Sequence, residues 1–131
     1  MMLRGVRGGT TVTDNDAGQI LAATKELLEQ LIRVNAIEEE AVASVLFTTT
    51  PDLNAAFPAA AARDLGWHRC ALMGFQEIQV PNGIQYCIRV LIHWNTDKTL
   101  DEIKHVYMHG AMKLRPDLYP DNRVELNGGT A

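Results

Sequence analysis

Apolar and polar residues follow one another along the chain in patterns that predict both strands and helices. Residues 2–12 and 41–49 are runs of apolar and β-branched side chains at strand length, so each predicts a strand. Between these runs, apolar or β-branched positions recur every three or four residues, at Ile20, Thr24, Leu27 and Leu31. This spacing predicts an amphipathic helix that begins after possible capping residues at 14–16 and ends near Asn35. The acidic residues 38–40 are expected to form a solvated turn or linker.

The middle of the chain predicts a short helix and a hairpin. Phe57 and Pro58 precede a run of alanines, so a short helix should begin at the proline and stop at Gly66. Residues 70–80 and 86–94 have strand-like composition, and the Asn-Gly pair between them is a strong turn signal. These two segments therefore predict an antiparallel hairpin.

A last helix is predicted from the capping-box sequence Thr-Leu-Asp-Glu at 99–102. It should continue through Ile103, Val106 and Tyr107 towards Met112. The resulting order β, α, β, α, β, β, α is typical of the α+β class, with a single mixed sheet packed against helices. Helices on one face alone would leave the other face uncovered, so self-association is expected.

Length and composition fit one ordinary globular domain. Of the 131 residues, 47% are hydrophobic and 21% are charged. No apolar run has the ~18 residues that cross a bilayer, and the N-terminus lacks a secretory signal, so we expect a cytoplasmic protein that binds no membrane. The two cysteines, Cys70 and Cys87, are then expected to be reduced. The net charge of −4 argues against a nucleic-acid partner, whereas the predominance of arginine among the cations suits a small anionic ligand.

Two charged residues lie where strand neighbours are apolar. Arg89 stands between Ile88 and Val90, and a buried guanidinium is costly unless it is paired or faces a polar pocket. Glu77 lies in the partner strand of the predicted hairpin, so the two side chains could meet each other or share a ligand. A structural ion pair or a solvent-facing alternation would explain the same spacing, and spacing alone does not decide between these interpretations.

The other motif signals are weak. The glycine-rich segment 4–11 could present backbone N–H groups to an anion, but it lacks the Lys-Ser/Thr of a P-loop. His105 and His109 have the spacing of zinc ligands on a helix, yet no third ligand is placed, so exposed or capping histidines are favoured. There is no nucleophile elbow and no recognisable Ser-His-Asp order. The residues alone therefore indicate no metal and no covalent or acid–base catalysis.

Several segments, taken together and in order, resemble the small monofunctional chorismate mutases of bacteria, often called the AroH class. They are MMLRGVRGGTTV at 1–12, TPDLNAAFPA at 50–59, QE at 76–77, CIRV at 87–90, HVY at 105–107 and LRPDL at 114–118. Each segment alone is a weak signal, but the set is specific to the family. The single domain is therefore expected to cover residues 1–118, with a flexible C-terminal tail at 119–131.

The resemblance implies a homotrimer without a cofactor, whose active sites lie in clefts between neighbouring subunits. It implies an isomerase that converts chorismate to prephenate in aromatic amino-acid biosynthesis. This Claisen-type rearrangement of a dianion needs no proton transfer and no covalent intermediate, which agrees with the missing catalytic dyad. Catalysis is expected from holding a compact conformer and from preorganised donors that meet the negative charge developing on the ether oxygen.

The resemblance also assigns roles to matching residues. Arg89 would donate to the ether oxygen and to a substrate carboxylate, while Glu77 would accept from the ring hydroxyl and face the developing positive charge. Arg7 and Tyr107 would hold the enolpyruvyl carboxylate. The remaining expected substrate-binding residues are Phe57, Ala59 and Arg63, from the neighbouring subunit, and Leu114 and Arg115, where the family's tail closes over the ligand.

The chain departs from the family pattern at two positions. Gly74 stands where well-known relatives have a cysteine, and Ala60 stands where they have a lysine. The missing side chains remove expected contacts near the ring hydroxyl and the outer carboxylate, so a weaker substrate affinity is expected. The Arg89 and Glu77 pair is retained.

Two other functions fit the same architecture. An imine-hydrolysing trimer of the Rid type also binds small acids between subunits through an arginine. Such hydrolysis needs an activated water, so it should show a solvent isotope effect. A non-catalytic trimer would bind a small acid without turnover, and the loss of chorismate absorbance would separate it from the enzymes.

Overall fold

The computed structural model describes residues 1–117 as a five-stranded mixed sheet with helices. In this part of the chain, the strands are β1 (Met2–Thr11), β2 (Val42–Thr49), β3 (Ala71–Gln76), β4 (Cys87–Thr96) and β5 (Val106–Tyr107). The helices are α1 (Ala17–Asn35) and α2 (Ala59–Asp64), with 3₁₀ turns at Glu39–Ala41, Leu100–Glu102 and His109–Leu114. The predicted α+β class with one mixed sheet is confirmed. The predicted tail at 119–131 lies outside the described residues.

Helix α1 begins and ends where its sequence predicts. The Asp16 carboxylate accepts a hydrogen bond from the Gln19 backbone N–H at 2.9 Å and caps the first turn. At the other end Ala36 has a φ of 56°, and its backbone N–H bonds back to the last carbonyls of the helix. The buried side chains of the helix are Ile20, Thr24, Leu27, Leu28, Leu31 and Asn35. Neither α1 nor α2 is long and apolar enough to cross a membrane.

The core lies between α1 and one face of the sheet. Alternate side chains of the strands fill it, as expected for strands with one buried face. The buried ones include Val6, Val45, Phe47, Val90 and Ile92. Gly8 lets α1 approach β1 closely, because a Cβ there would lie 2.8 Å from Leu31 Cδ1 and 3.0 Å from the Val106 carbonyl oxygen.

The opposite face of the sheet is only partly covered within residues 1–117. The turn His109–Leu114 covers its β5 edge and packs against β1. Elsewhere this open face presents Leu3, Met73 and Phe75, which are 56%, 58% and 47% exposed. The sequence predicted such an uncovered face, and large exposed apolar side chains are typical of a surface that binds a partner.

The predicted hairpin is wrong, because β2 lies between its two strands. The sheet order is β3-β2-β4-β1-β5, with β3 parallel to β2 and with β4 antiparallel to both β2 and β1. A tight turn does form, since the Gly83 backbone N–H donates to the Val80 carbonyl at 2.9 Å, but it lies within the loop 77–86. Strand β4 pairs along its whole length with β1 and along most of it with β2, which leaves no free edge for β3.

The helix predicted from the capping box is also wrong. The box does form, with the Thr99 backbone N–H donating to Glu102 Oε1 at 2.8 Å, but it starts only the turn Leu100–Glu102. The chain then extends into β5, which runs parallel to β1. The buried Asn35 side chain explains this, because its Oδ1 accepts from the Lys104 N–H at 2.9 Å and its Nδ2 donates to the Lys104 carbonyl at 2.8 Å. These two bonds take the backbone groups that a helix would need.

The acidic residues 38–40 do more than solvate a turn. Glu39 Oε2 accepts hydrogen bonds from the backbone N–H groups of Arg69 at 2.7 Å and Cys70 at 3.0 Å. These two bonds lower the pKa of Glu39. They fix the chain where it enters β3.

Candidate active site

One row of residues crosses all five strands on the open face of the sheet. The register pairs Phe75 of β3 with Thr48 of β2, and Thr48 with Arg89 of β4. It then pairs Arg89 with Gly9 of β1, and Gly9 with Tyr107 of β5. Residues opposite one another in neighbouring strands share a face. The register therefore brings residues that are distant in sequence together on one surface.

A cavity of about 250 Å³ lies over this row. Its lining combines charged or polar side chains with an apolar wall, a combination typical of small-molecule sites. The polar lining residues are Arg7, Thr48, Glu77, Arg89 and Tyr107, and the others are Gly8, Leu46, Phe75, Val90 and Leu91. Two arginines face one glutamate in this lining, so the cavity has an excess of positive charge that favours an anionic ligand.

Arg89 and Glu77 form an ion pair at this cavity. Arg89 Nε lies 2.7 Å from Glu77 Oε2, and Thr48 Oγ1 donates a hydrogen bond to the same oxygen at 2.7 Å. Glu77 directly follows β3, where its backbone N–H donates to the Thr49 carbonyl at 2.8 Å. The contact considered from the sequence is therefore present, but it reaches across β2 rather than across a hairpin.

The ion pair leaves donors of Arg89 for a ligand. Nε–H is buried and has no well-directed hydrogen bond within residues 1–117, although Glu77 Oε2 is only 2.7 Å away. The contact is thus an electrostatic pairing rather than a directed hydrogen bond. The Arg89 side chain is still 42% exposed, whereas that of Glu77 is 17% exposed. A guanidinium carries five N–H donors, so Arg89 can bind an oxygen of a ligand while it stays paired.

Arg7 and Tyr107 border the same cavity from neighbouring strands. The Arg7 side chain is exposed, and Tyr107 is buried. The Arg7 backbone N–H donates to Nδ1 of half-buried His105 at 3.0 Å. Burial of the ring and the cations of Arg7 and Arg115 lower the pKa of His105, so the ring is neutral at neutral pH.

Leu114 and Arg115 lie next to the cavity. Leu114 lines an adjoining space of about 680 Å³ that also contacts Arg89. The Arg115 guanidinium carbon is 6.0 Å from the centre of the Tyr107 ring. Arg115 Nε and Nη2 also donate to the two carboxylate oxygens of Asp117 at 3.0 and 2.8 Å. Both residues are therefore close to the site that the sequence predicted for them.

Three other predicted residues lie away from this cavity in the single chain. Phe57 precedes α2 and is 83% exposed, Ala59 begins α2 half-buried, and Arg63 lies exposed on α2. Phe57 lines a second cavity of about 450 Å³, together with Gly74 and Phe75. The Phe75 side chain borders both cavities. Within one chain, the structure does not bring these three residues to Arg89.

Thr48 and Phe75 are cavity residues that sequence analysis missed. The period-two alternation along β2 and β3 does predict which residues share a face within each strand. It does not predict which strands are neighbours, and the hairpin signal placed β3 next to β4 instead of β2. The link between Thr48 and Glu77 therefore depends on a strand order that the sequence does not show.

His105 and His109 do not share a helix face. His105 directly precedes β5, whereas His109 begins a 3₁₀ turn with a φ of 53°. His109 Nε2 lies 3.2 Å from Glu26 Oε1 on α1. Among residues 1–117, no three side chains of His, Cys, Asp or Glu come together as a metal site.

Sequence and fold both match one family of proteins. The family model described as chorismate mutase type I matches residues 3–118. The chain belongs to this family. A chorismate mutase AroH from Thermus thermophilus is 47% identical over 118 residues, which cover 89% of this chain and 97% of that protein. A chorismate mutase AroH from Bacillus subtilis strain 168 is 44% identical over 127 residues, which cover 96% of this chain and all of that protein.

A solved structure supports the same family. A chorismate mutase from Clostridium thermocellum matches the fold with a TM-score of 0.83 at 50% sequence identity, covering 84% of this chain and 98% of that chain. The chorismate mutase family predicted from the sequence is therefore confirmed, and with it the isomerase class. The comparisons favour this family over the imine-hydrolysing trimers considered from the sequence.

Proposed function

We propose that the chain rearranges chorismate to prephenate in the cavity bordered by Arg7, Arg89 and Tyr107. The observation that carries this proposal is the Arg89–Glu77 pair, held at 2.7 Å in a cavity with excess positive charge. Chorismate is a dianion, and two arginines suit its two carboxylates. Arg89 lies on the central strand of the sheet, so its position is fixed before a ligand binds.

The charge that develops during the reaction explains the position of Arg89. The rearrangement breaks the ether C–O bond and forms a C–C bond within the same molecule, with no proton transfer. Negative charge collects on the ether oxygen in the transition state, and an Arg89 N–H donates to that oxygen. A preorganised donor at such a position contributes roughly 10²–10³-fold to the rate. The reaction therefore needs no covalent or acid–base group.

The remaining cavity residues hold the substrate in a compact conformer. Glu77, fixed by Thr48, accepts from the ring hydroxyl and faces the ring as it becomes electron-poor. Arg7 and Tyr107 bind the enolpyruvyl carboxylate from two adjacent strands. Fixing the two reacting ends close together removes much of the entropic barrier to the rearrangement.

We also propose that Leu114 and Arg115 close over the bound ligand. Arg115 is already held beside the cavity by Asp117 and by the ring of Tyr107. The Asp117 carboxylate raises the pKa of Arg115, so this residue adds a permanent cation near the cavity. Leu114 adds an apolar surface that excludes water from the reacting bonds.

A neighbouring subunit of a homotrimer completes the site in this proposal. The exposed Phe57 ring and the open apolar face with Leu3 and Met73 both suit a contact with another copy of the chain. Phe57 and Ala59 from the neighbour would form the missing wall, and Arg63 would add cationic potential. The cytoplasmic location predicted from the sequence stays a prediction.

The two departures from the family pattern concern this wall. Gly74 lines the cavity next to Phe57, and Ala60 follows Ala59 on α2. Neither residue offers a polar side chain to the substrate. The weaker substrate affinity expected from these positions stays a prediction, which a comparison of KM between this protein and its Gly74→Cys variant tests.

Turnover of chorismate by the purified protein tests the proposed function. We expect chorismate absorbance to fall while an equal amount of prephenate forms, with a solvent isotope effect near one because no proton moves. The Glu77→Gln variant keeps the shape of the side chain but removes its charge, and it should lose about 10²-fold in turnover. The matched control is Glu29→Gln, at an exposed glutamate of α1 that does not line the cavity, and it should keep wild-type turnover.

Two outcomes would contradict the proposal. A folded protein that binds chorismate without converting it would be a non-catalytic binding protein. A protein that hydrolyses imines with a large solvent isotope effect would belong to the other enzyme class.

A further inference from the structure

His105 supplies a hydrogen-bond acceptor beside β1 where the backbone of the neighbouring strand does not. Strand β5 pairs with β1 only over its two residues. Just before β5, both backbone groups of Lys104 bind Asn35, with distances of 2.9 and 2.8 Å. The Arg7 N–H donates instead to Nδ1 of the His105 side chain at 3.0 Å. This side chain therefore extends the β1–β5 contact by one residue.

The hydrogen bond from Arg7 requires one protonation state of His105. A ring nitrogen accepts an N–H only when it carries no proton, so the ring is neutral with its proton on Nε2. The charged groups that act on the ring are Arg7 on β1 and Arg115 at the end of the turn His109–Leu114. Both are cations, and together with burial they lower the pKa of His105. Protonation would place two N–H donors against each other and break the contact.

We propose that neutral His105 is a positioning residue for Arg7. By accepting the Arg7 N–H, it fixes the stretch of β1 from which the Arg7 guanidinium reaches the cavity. It also ties this stretch to the start of β5, which carries Tyr107 two residues later. His105 is not among the residues that line the cavity, so it acts through Arg7 and Tyr107. This inference rests on the proposed role of Arg7 in binding the substrate carboxylate.

Two substitutions at His105 distinguish the loss of its hydrogen-bond acceptor from the change in the side chain itself. His105→Leu removes the acceptor, whereas His105→Asn keeps an acceptor oxygen close to the position of Nδ1 and cannot gain a proton in this pH range. Near pH 7.5, we expect His105→Leu to raise KM about five- to tenfold with little change in kcat, the size of one hydrogen bond's net contribution. His105→Asn should restore KM to within about twofold of wild type. The control is His109→Asn, at an exposed histidine of the following turn.

The pH profile of kcat/KM gives a second measurement, which does not depend on how well His105→Leu folds. Wild type and His109→Asn should lose activity as His105 gains a proton, with a midpoint below its ordinary pKa of 6.5. His105→Asn should not show this loss of kcat/KM, because its side chain cannot gain a proton in this pH range. Every other ionisable group of the cavity is the same in wild type and His105→Asn, so the difference between their profiles isolates His105.

The Arg7 amide proton provides a measurement that is independent of activity. Its NMR resonance should follow the titration of the His105 ring in the wild-type protein and lose that dependence in His105→Asn.

The Arg7→Ala variant separates the positioning role of His105 from the substrate-binding role of Arg7. One outcome would overturn only the role of His105. In that outcome, Arg7→Ala raises KM, but His105→Leu has a normal KM and His105→Asn loses kcat/KM at acidic pH as the wild type does. Arg7 would then keep its proposed role. If Arg7→Ala leaves KM unchanged, the binding role of Arg7 and the inference built on it are both overturned.

Discussion

Thr48 determines which oxygen of Glu77 is available to a ligand. Its hydroxyl donates to Oε2 at 2.7 Å, and Arg89 Nε lies 2.7 Å from the same atom. Both contacts therefore engage Oε2, which leaves Oε1 for the ring hydroxyl of the substrate in our proposal. Thr48 thus fixes the orientation of the carboxylate to which we assign a role in the reaction, although Thr48 carries no charge of its own.

The Thr48→Val variant tests this orientation. Loss of a hydrogen bond to a charged group costs about 1.5–3 kcal/mol, so we expect turnover to fall roughly tenfold or more. The matched control is Thr10→Val, because Thr10 Oγ1 is buried and has no hydrogen-bond partner within residues 1–117. That variant should keep wild-type turnover and an equal or higher Tm. Equal turnover in both variants would contradict the role of Thr48.

At the scale of elements, local signals predicted local structure. The Asp16 cap and the apolar spacing predicted α1, and composition predicted β1 and β2. The errors concern β3 and β5, whose positions depend on partners far away in sequence. A turn signal at 82–83 marks a chain reversal but not a strand partner, and the capping box could not reveal that Asn35 binds the Lys104 backbone.

The candidate site was likewise predictable only in part from the sequence. An arginine between apolar neighbours was visible in the sequence, because a charge at such a position needs a reason. The contact of Arg89 with Glu77 was considered from spacing, but their geometry across β2 and the role of Thr48 depend on the strand order. The residue roles came from the family resemblance rather than from spacing.

Packing between α1 and the sheet gives a prediction about stability. In Gly8→Ala, the new Cβ would lie 2.8 Å from Leu31 Cδ1 and 3.0 Å from the Val106 carbonyl oxygen. Such overpacking costs about 1–3 kcal/mol, so the free energy of unfolding should fall by that amount in chemical denaturation. Gly74→Ala is the control, because the nearest atom to its Cβ would be 4.0 Å away. Equal stability of both variants would show that α1 does not pack this closely on β1.

At the scale of the whole molecule, the residues that we propose for one active site lie at two different cavities of a single chain. Arg89 and Glu77 lie at one cavity, while exposed Phe57 lies at another. A homotrimer brings the Phe57 region of one copy to the Arg89 cavity of the next in our proposal. We expect the particle mass in solution, measured by light scattering, to be about three times that of one chain. A monomer with full activity would contradict this assembly.

Mixed trimers test whether the sites are shared. When Phe57→Ala and Arg89→Ala chains are mixed and allowed to exchange subunits, about a quarter of the sites should contain both wild-type side chains, so activity should return. The control mixes Arg7→Ala with Arg89→Ala. Both of these residues belong to the same side of the site, so no complete site forms and activity should stay low. Equal recovery in the two mixtures, or none in either, would contradict an intersubunit site.

The central claim is that Arg89 stabilises the negative charge that develops on the ether oxygen. Turnover of chorismate by Arg89→Ala and Arg89→Lys, measured on folded protein, tests it most directly. We predict a loss of about 10²-fold or more in kcat for Arg89→Ala. Arg89→Lys should recover little of it, because an ammonium cannot replace a planar pair of donors. Near-normal kcat in Arg89→Ala would contradict the account.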